Sequence, residues 1–381
     1  MSDKSKKALL PAGLRDVLSP DAAFEAAVVE KTVSVFTSNG YDRVKPPLIE
    51  FEDSLLSGSG AATAKQTFRL MDPVSHQMMG LRPDLTVQVG RIATTRLANL
   101  PRPLRLSYAG QVLRVKGSQL RPERQYGQVG AELIGAQSAE GDAEVILMAA
   151  EALTDLGVEG LSIDLGLPTL VMAIKEGISL STGDESRLDL ALERKDVAEV
   201  AAVGGNVAPV LAQLIEACGS ADHAIAPLRK LAVSQKARAE IDSLLAVIDI
   251  IRQAAPNLSI TVDPVERRGY EYHTGVTFTF FALGVRGELG RGGRYRAGAD
   301  GNEPATGVSL FTDSILRALP APQQSDRIFL PLGTSVDAAR ALRNDGWVTV
   351  AALSADGEEA NARDQKCTHI FKDGSPRPLG S

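Results

Sequence analysis

The chain has 381 residues, 44% of them hydrophobic and 4% aromatic, with 41 Lys and Arg against 47 Asp and Glu and a net charge of −6. That length predicts two or three domains with real cores, and the acidic balance gives no global electrostatic footprint for nucleic acid. The charged opening MSDKSKKALLPAG lacks the apolar core of a signal peptide, and no apolar run reaches the roughly 18 residues of a membrane span, so a soluble cytoplasmic protein is expected.

The elements follow in order. Ser19-Pro20-Asp21 predicts a capped helix start, with Phe24, Val28, Thr32 and Val35 on one face and Gly40 as its stop. GYDRVKPPLIEF is extended, because Pro46-Pro47 excludes helix. TFRLMD and HQMMGLRP read as a hairpin, and LTVQVGRIATTRLANL returns to helix. LRLSYAGQVLR and YGQVGAELIG are two strands joined by a loop rich in Lys, Arg and Gln. A helix from about Ser138 ends at Gly157, and LSIDLG alternates as a strand. Residues 169–255 are rich in Ala and Leu, helical in period and free of aromatics, as an inserted helical subdomain would be. SITVD, VTFTFFAL, the glycine-rich GELGRGGRYRAG and PATGVSLF are strands, and a helix runs from Asp313 to Leu319. IFLPLG, AARALRNDG, WVTVAAL and THIFKD then alternate strand and helix in a small C-terminal α/β unit. The expected class is α+β, with antiparallel hairpins and helices set between them. The domains divide as 1–168 and 256–322 for a discontinuous core, 169–255 for the helical insertion and 323–381 for the C-terminal unit.

The chain has no Walker A loop, nucleophile elbow, His-Glu-x-x-His helix or paired CxxC. His76, His223, His273 and His369 are scattered, and Cys218 and Cys367 lack metal spacing and read as free thiols. No metal or cofactor is called for. Candidate chemistry lies instead in polar residues within apolar strands. In LRPDLT, Asp84 reads equally as a helix cap or as a site acid beside Thr86. In RQYGQVGAELIG, Gln128, Gly130 and Glu132 share one strand face, while Val129, Ala131 and Leu133 face the core. An amide and an acid flanking a glycine suit a small cation; the alternative is a solvated sheet face. In ERRGYEYHTGVTF, Arg268, Tyr270, Tyr272 and Thr274 alternate onto one face and Gly269, Glu271 and His273 onto the other, unless a bulge changes the register. Asp84 and Glu132 with Arg114 and Arg268 could hold a zwitterion, carboxylates taking the ammonium and guanidinium the carboxylate.

These segments, in this order, resemble the catalytic core of a class II aminoacyl-tRNA synthetase, and most closely the histidyl enzyme. LPAGLRDVLSP resembles its N-terminal signature, and GYDRVKPPLIEF its motif 1, with Pro47 as the proline and the preceding helix as the dimer element. LRPDLT resembles its LRPE-x-T segment, and YAGQVLR with QYGQVGAELIG resembles motif 2, with Arg114 as the arginine. RRGYEYHTG resembles its RGLDYYTG segment, and GRGGRY its GGGRYD loop. The resemblance spans roughly residues 8 to 320. It implies a class II antiparallel sheet flanked by helices, and it assigns Asp84, Thr86, Gln128, Glu132, Arg268 and Tyr295 to the amino-acid side of the pocket. Tyr272 and His273 fall on the Tyr-Tyr pair, so His273 replaces a tyrosine, and Tyr270 replaces the leucine before it.

The departures concentrate on the nucleotide side. Motif 3 of that family ends in a Glu-Arg pair whose arginine grips ATP; aligned on Gly307, the pair falls on Asp313 and Ser314. Lys116 stands where motif 2 carries an acid, and the tail is shorter than an anticodon-binding domain. A synthetase-like chain that keeps a histidine pocket and drops these parts resembles the regulatory subunits of ATP phosphoribosyltransferase. That resemblance implies a non-catalytic chain that joins a short catalytic chain in a glycosyltransferase complex. It performs the first step of histidine biosynthesis, joining ATP to phosphoribosyl pyrophosphate under L-histidine feedback. It further implies a homodimer within a larger hetero-oligomer, with no tRNA and no membrane. The alternatives are an active, divergent histidyl-tRNA synthetase, or a stand-alone paralogue binding another small amine.

Overall fold

The computed structural model describes residues 9–119, 121–176, 181–267, 272–298, 300–322 and 326–380. It contains two compact units, Met1–Pro320 and Ala321–Ser381.

The first unit is built on a nine-stranded sheet. Its strands are β1 (Asp42–Arg43), β5 (Leu104–Leu113), β6 (Gln125–Ile134), β7 (Leu161–Gly166), β8 (Gly219–Ser220), β9 (Ser259–Asp263), β10 (His273–Ala282), β11 (Gly290–Ala297) and β12 (Glu303–Phe311). They run in the order β1-β5-β6-β12-β11-β10-β7-β9-β8. The pairs from β5 through β10 to β7 are antiparallel, while β1 joins β5 and β7 joins β9 in parallel. A smaller sheet holds β2 (Ile49–Phe51), β3 (Phe68–Met71) and β4 (Met78–Leu81), the last two forming the expected hairpin.

Alternation along β6 decides what each face of the large sheet carries. Val129, Ala131 and Leu133 point into the main core with Phe36, Ile146 and Leu153. Those last three come from the helices Asp21–Ser38 and Ala139–Leu156, which cover that face. Residues of the helical stretch, among them Leu188, Leu211 and Ile241, belong to the same core, and the stretch also lends β8 to the sheet. The other face of β6 packs with Leu85, Val89, Tyr108 and Tyr295, under the helix Thr86–Thr95.

Two start signals fare differently. Ser138 caps its helix by accepting from the Gly141 amide, and Gly157 ends it in the left-handed region. Ser19 does not cap: Pro20 takes the cap position without a side-chain bond. The first helical amides bond to the backbone instead, Ala22 to the Leu18 carbonyl and Phe24 to that of Pro20.

The second unit has its own sheet, in the order β14-β13-β15-β16. Here β13 (Arg327–Leu330), β14 (Val348–Ala351) and β15 (His369–Lys372) run parallel, and β16 (Ser375–Pro378) turns back against β15. The crossover helices are Val336–Asn344 and Glu358–Asp364. Small cores around Phe329 and Ile370, and around Ile328 and Leu342, hold it together.

Candidate functional site

The site grows from β6 and its neighbours β5 and β12. Gln128 is buried, and its amide oxygen accepts from the Leu85 amide at 3.0 Å. Its amide nitrogen donates to Ser309 Oγ at 2.7 Å and to Asp84 Oδ2 at 3.3 Å. The other Asp84 oxygen accepts from the Thr86 amide at 2.8 Å. Asp84 is not the cap: Leu85 takes that position without a side-chain bond, and Asp84, one residue earlier, closes a local turn onto the Thr86 amide and lines the cavity. Four residues along β6 from Gln128, on the same face, Glu132 has no exposed surface. Its oxygens accept from Tyr108 Oη at 3.1 Å and Tyr295 Oη at 2.9 Å. Tyr108 also meets Thr86 Oγ1 and Ser309 Oγ, each at 3.1 Å. The solvated-face alternative for Gln128 and Glu132 is therefore excluded.

Burial dominates the electrostatics. Loss of water pushes the Glu132 carboxyl up to about 8 against the stabilising tyrosine hydrogen bonds. The Tyr108, Tyr272 and Tyr295 hydroxyls are driven up for the same reason, with the nearby Glu132 as the next cause. Desolvation pushes the His273 imidazole down to about 4.

Gly307 makes the arrangement possible. It pairs with Glu132 across β12 and β6, and a Cβ there would lie 1.7 Å from Glu132 Oε2. A carboxylate fills the space a side chain would take.

A cavity of about 310 Å³ opens beside this network. Asp84, Thr86, Arg114, Tyr272, His273 and Ser309 line it. Arg114 is half-buried, donates to the Pro83 carbonyl at 3.4 Å and approaches the Tyr126 ring. Gln128, Glu132 and Tyr295 stand one layer behind the lining and act on it through Ser309, Thr86 and Tyr108. The expected alternation around Tyr272 breaks down: Tyr272 and His273 both reach the cavity, and Tyr272 lies in a turn just ahead of β10, which begins at His273, so strand alternation does not govern the pair. Arg268 and Tyr270 lie outside the described residues.

The motif 3 corner corrects one expectation. Cations are present there: Arg121 comes from a distant loop and Arg317 from the next turn of the same helix. Arg121, from the loop between β5 and β6, donates to Asp313 at 3.0 Å and to Ser314 Oγ at 3.2 Å. Its guanidinium lies 4.0 Å from the Phe311 ring centre and 4.6 Å from that of Tyr126. Arg317 adds a second bond to Ser314 Oγ at 2.9 Å. Asp313 and Ser314 hold this internal pair closed.

The family model for histidyl-tRNA synthetase matches residues 13–315. An ATP phosphoribosyltransferase regulatory subunit from Paramagnetospirillum magneticum is 57% identical over 97% of both chains. One from Rhodospirillum centenum is 55% identical over 96% of this chain and 95% of its own. The chain belongs to the ATP phosphoribosyltransferase regulatory subunit family. A solved structure from Bacillus halodurans, described as a regulatory subunit or histidyl-tRNA synthetase, superposes with a TM-score of 0.81 at 22% identity, over 95% of this chain and 97% of that one. Histidyl-tRNA synthetase from Nostoc gives 0.78 at 17% identity over 95% and 90%. The class II synthetase-like fold is thereby established for this regulatory-subunit chain.

Within this family member, sequence reasoning missed Tyr108 and Ser309, which join Thr86 to Gln128 and Glu132. Each was a polar group in an otherwise apolar strand, the same signal that singled out Glu132. Asp164, Glu266, Thr279, Glu288 and Arg291 also line the cavity, and only the fold brings their distant segments together.

Proposed function

We propose that the chain is the non-catalytic, histidine-sensing subunit of ATP phosphoribosyltransferase, working with a short catalytic chain in the first, cytoplasmic step of histidine biosynthesis. The observation that carries this reading is the closed polar network of Asp84, Thr86, Gln128 and Glu132 beside a cavity sized for a small amino acid. Asp84 and Thr86 hold the α-ammonium, with Gln128 fixing Asp84 from behind, and Arg114 with Arg268 takes the carboxylate. Tyr272 and His273 flank the ring, with Glu132 and Tyr295 supporting it from behind. Histidine lowers transferase activity to the extent that it binds one state of the complex better than the other. The test is transferase activity of the reconstituted complex across a histidine titration. A complex that forms normally and shows no inhibition sinks the sensor reading.

The chain also makes no aminoacyl-adenylate and takes no tRNA. Ser314 stands at the position of the ATP-gripping arginine, and its hydroxyl is bonded by Arg121 and Arg317. Histidine-dependent ATP–pyrophosphate exchange should be absent, and Ser314→Arg alone should not restore it, because Arg121 and Lys116 remain. Exchange at ordinary synthetase rates would favour the divergent-synthetase alternative.

A further inference from the structure

His273 stands where the resemblance expects a tyrosine, and its surroundings fix its hydrogen-bonding sense. Nδ1 lies 3.2 Å from the Arg294 carbonyl oxygen. A carbonyl can only accept, so Nδ1 carries the proton and Nε2 keeps its lone pair. Among the described residues the ring's one hydrogen bond is that of Nδ1, and His273 lines the cavity. The ring cannot easily turn. It packs 4.3 Å from the Tyr272 ring centre, and Gly293 leaves room for Nδ1 that a Cβ would reduce to 3.0 Å. The guanidinium of Arg294 points away, bonded to Asp142, so it offers His273 only its carbonyl.

We propose that His273 sets the ligand specificity of the cavity by presenting Nε2 as a fixed acceptor, so that the bound molecule must bring a ring N–H donor. A tyrosine hydroxyl can turn to donate or accept. A neutral imidazole pinned at Nδ1 can only accept at Nε2. The low titration of His273 agrees with this, since burial keeps the ring neutral down to about pH 4. The proposal rests on the sensor reading for the identity of the amino acid, and on geometry alone for the ring N–H.

Calorimetry on the full chain tests it. The probes are L-histidine against β-(2-thienyl)-L-alanine, a ring of similar size without N–H, and imidazole against 1-methylimidazole. Working near pH 8.5, about two units above the usual imidazole titration, keeps the probe rings neutral. Wild-type protein should prefer each N–H probe by at least about tenfold, as a directed hydrogen bond in a closed site provides. His273→Phe, which keeps a ring beside Tyr272, should lose that preference, and His273→Gln, which keeps an acceptor, should retain part of it. Circular dichroism confirms that both variants fold. A His273→Phe protein that still discriminates overturns the proposal. If wild type ignores histidine yet prefers imidazole to 1-methylimidazole, the sensor reading falls and the acceptor stands. If wild type binds the members of each pair equally, or binds none of them, the acceptor proposal falls.

Discussion

A carboxyl group with no exposed surface is destabilised when it ionises unless donors repay the lost water. At Glu132 two tyrosine hydroxyls do so only in part, and the group ends near pKa 8. The linkage sign follows. A carboxyl whose folded pKa is raised gives stability that is present below its unfolded value and is lost as pH rises through the folded value. Glu132→Gln removes that titration while keeping the shape. Wild-type stability should therefore fall relative to Glu132→Gln between about pH 4.5 and 8, in a series of thermal midpoints against pH. Parallel curves would mean that Glu132 does not titrate there. The same substitution probes feedback. Glu132 holds Tyr108, and Tyr108 holds Thr86 on the cavity wall, so histidine should inhibit the complex with roughly tenfold weaker potency while basal activity is unchanged.

At the level of elements, the tightest fit is between β6 and β12. Gly307→Ala would drive a methyl into the Glu132 carboxylate with backbone on both sides, so overpacking of at least about 2 kcal/mol is expected from urea unfolding. Gly183→Ala is the control. It lies in the first turn of the helix Thr182–Arg194, and the nearest atom to its added Cβ is 3.8 Å away, so it should be neutral or slightly stabilising. The loop between β5 and β6 is tied to the helix Thr312–Ala318 through Arg121 and Asp313, whose side chains are 13% and 7% exposed. Removing Arg121 leaves Asp313 only the longer contact to Arg317 at 3.4 Å. Arg121→Ala should therefore cost about 1–3 kcal/mol, and adding Asp313→Ser should recover part of it in a double-mutant cycle. Strict additivity would deny the coupling.

At the level of the molecule, the proposed dimer uses the helix Asp21–Ser38 and the chain around Pro47. Leu18, Leu48 and Phe51, in or beside these segments, carry exposed apolar surface. Light scattering at micromolar concentration should return twice the chain mass, and mixing with the short catalytic chain should give a larger species. Separate elution of the two chains at every concentration would count against the hetero-oligomer. Among the described residues no helix is long and apolar enough to cross a membrane.

The sequence by itself determined most of the elements, and it named Asp84, Thr86, Arg114, Tyr272 and His273, which the fold brings to one cavity. Alternation along Gln125–Ile134 put Gln128 and Glu132 on one face and the core residues on the other, because a strand's period leaves no third choice. Gly157 ended its helix for an equally local reason. Ser19 misled because capping depends on backbone angles as well as residue type. The tertiary structure alone decided the rest. It set Arg121 against Ser314 across 193 positions of chain, a distance no local pattern encodes. It began β10 only at His273 and left Tyr272 in the turn before it, so that two consecutive side chains reach one cavity. It placed Glu132 behind two tyrosines, where desolvation rather than sequence neighbours fixes its charge.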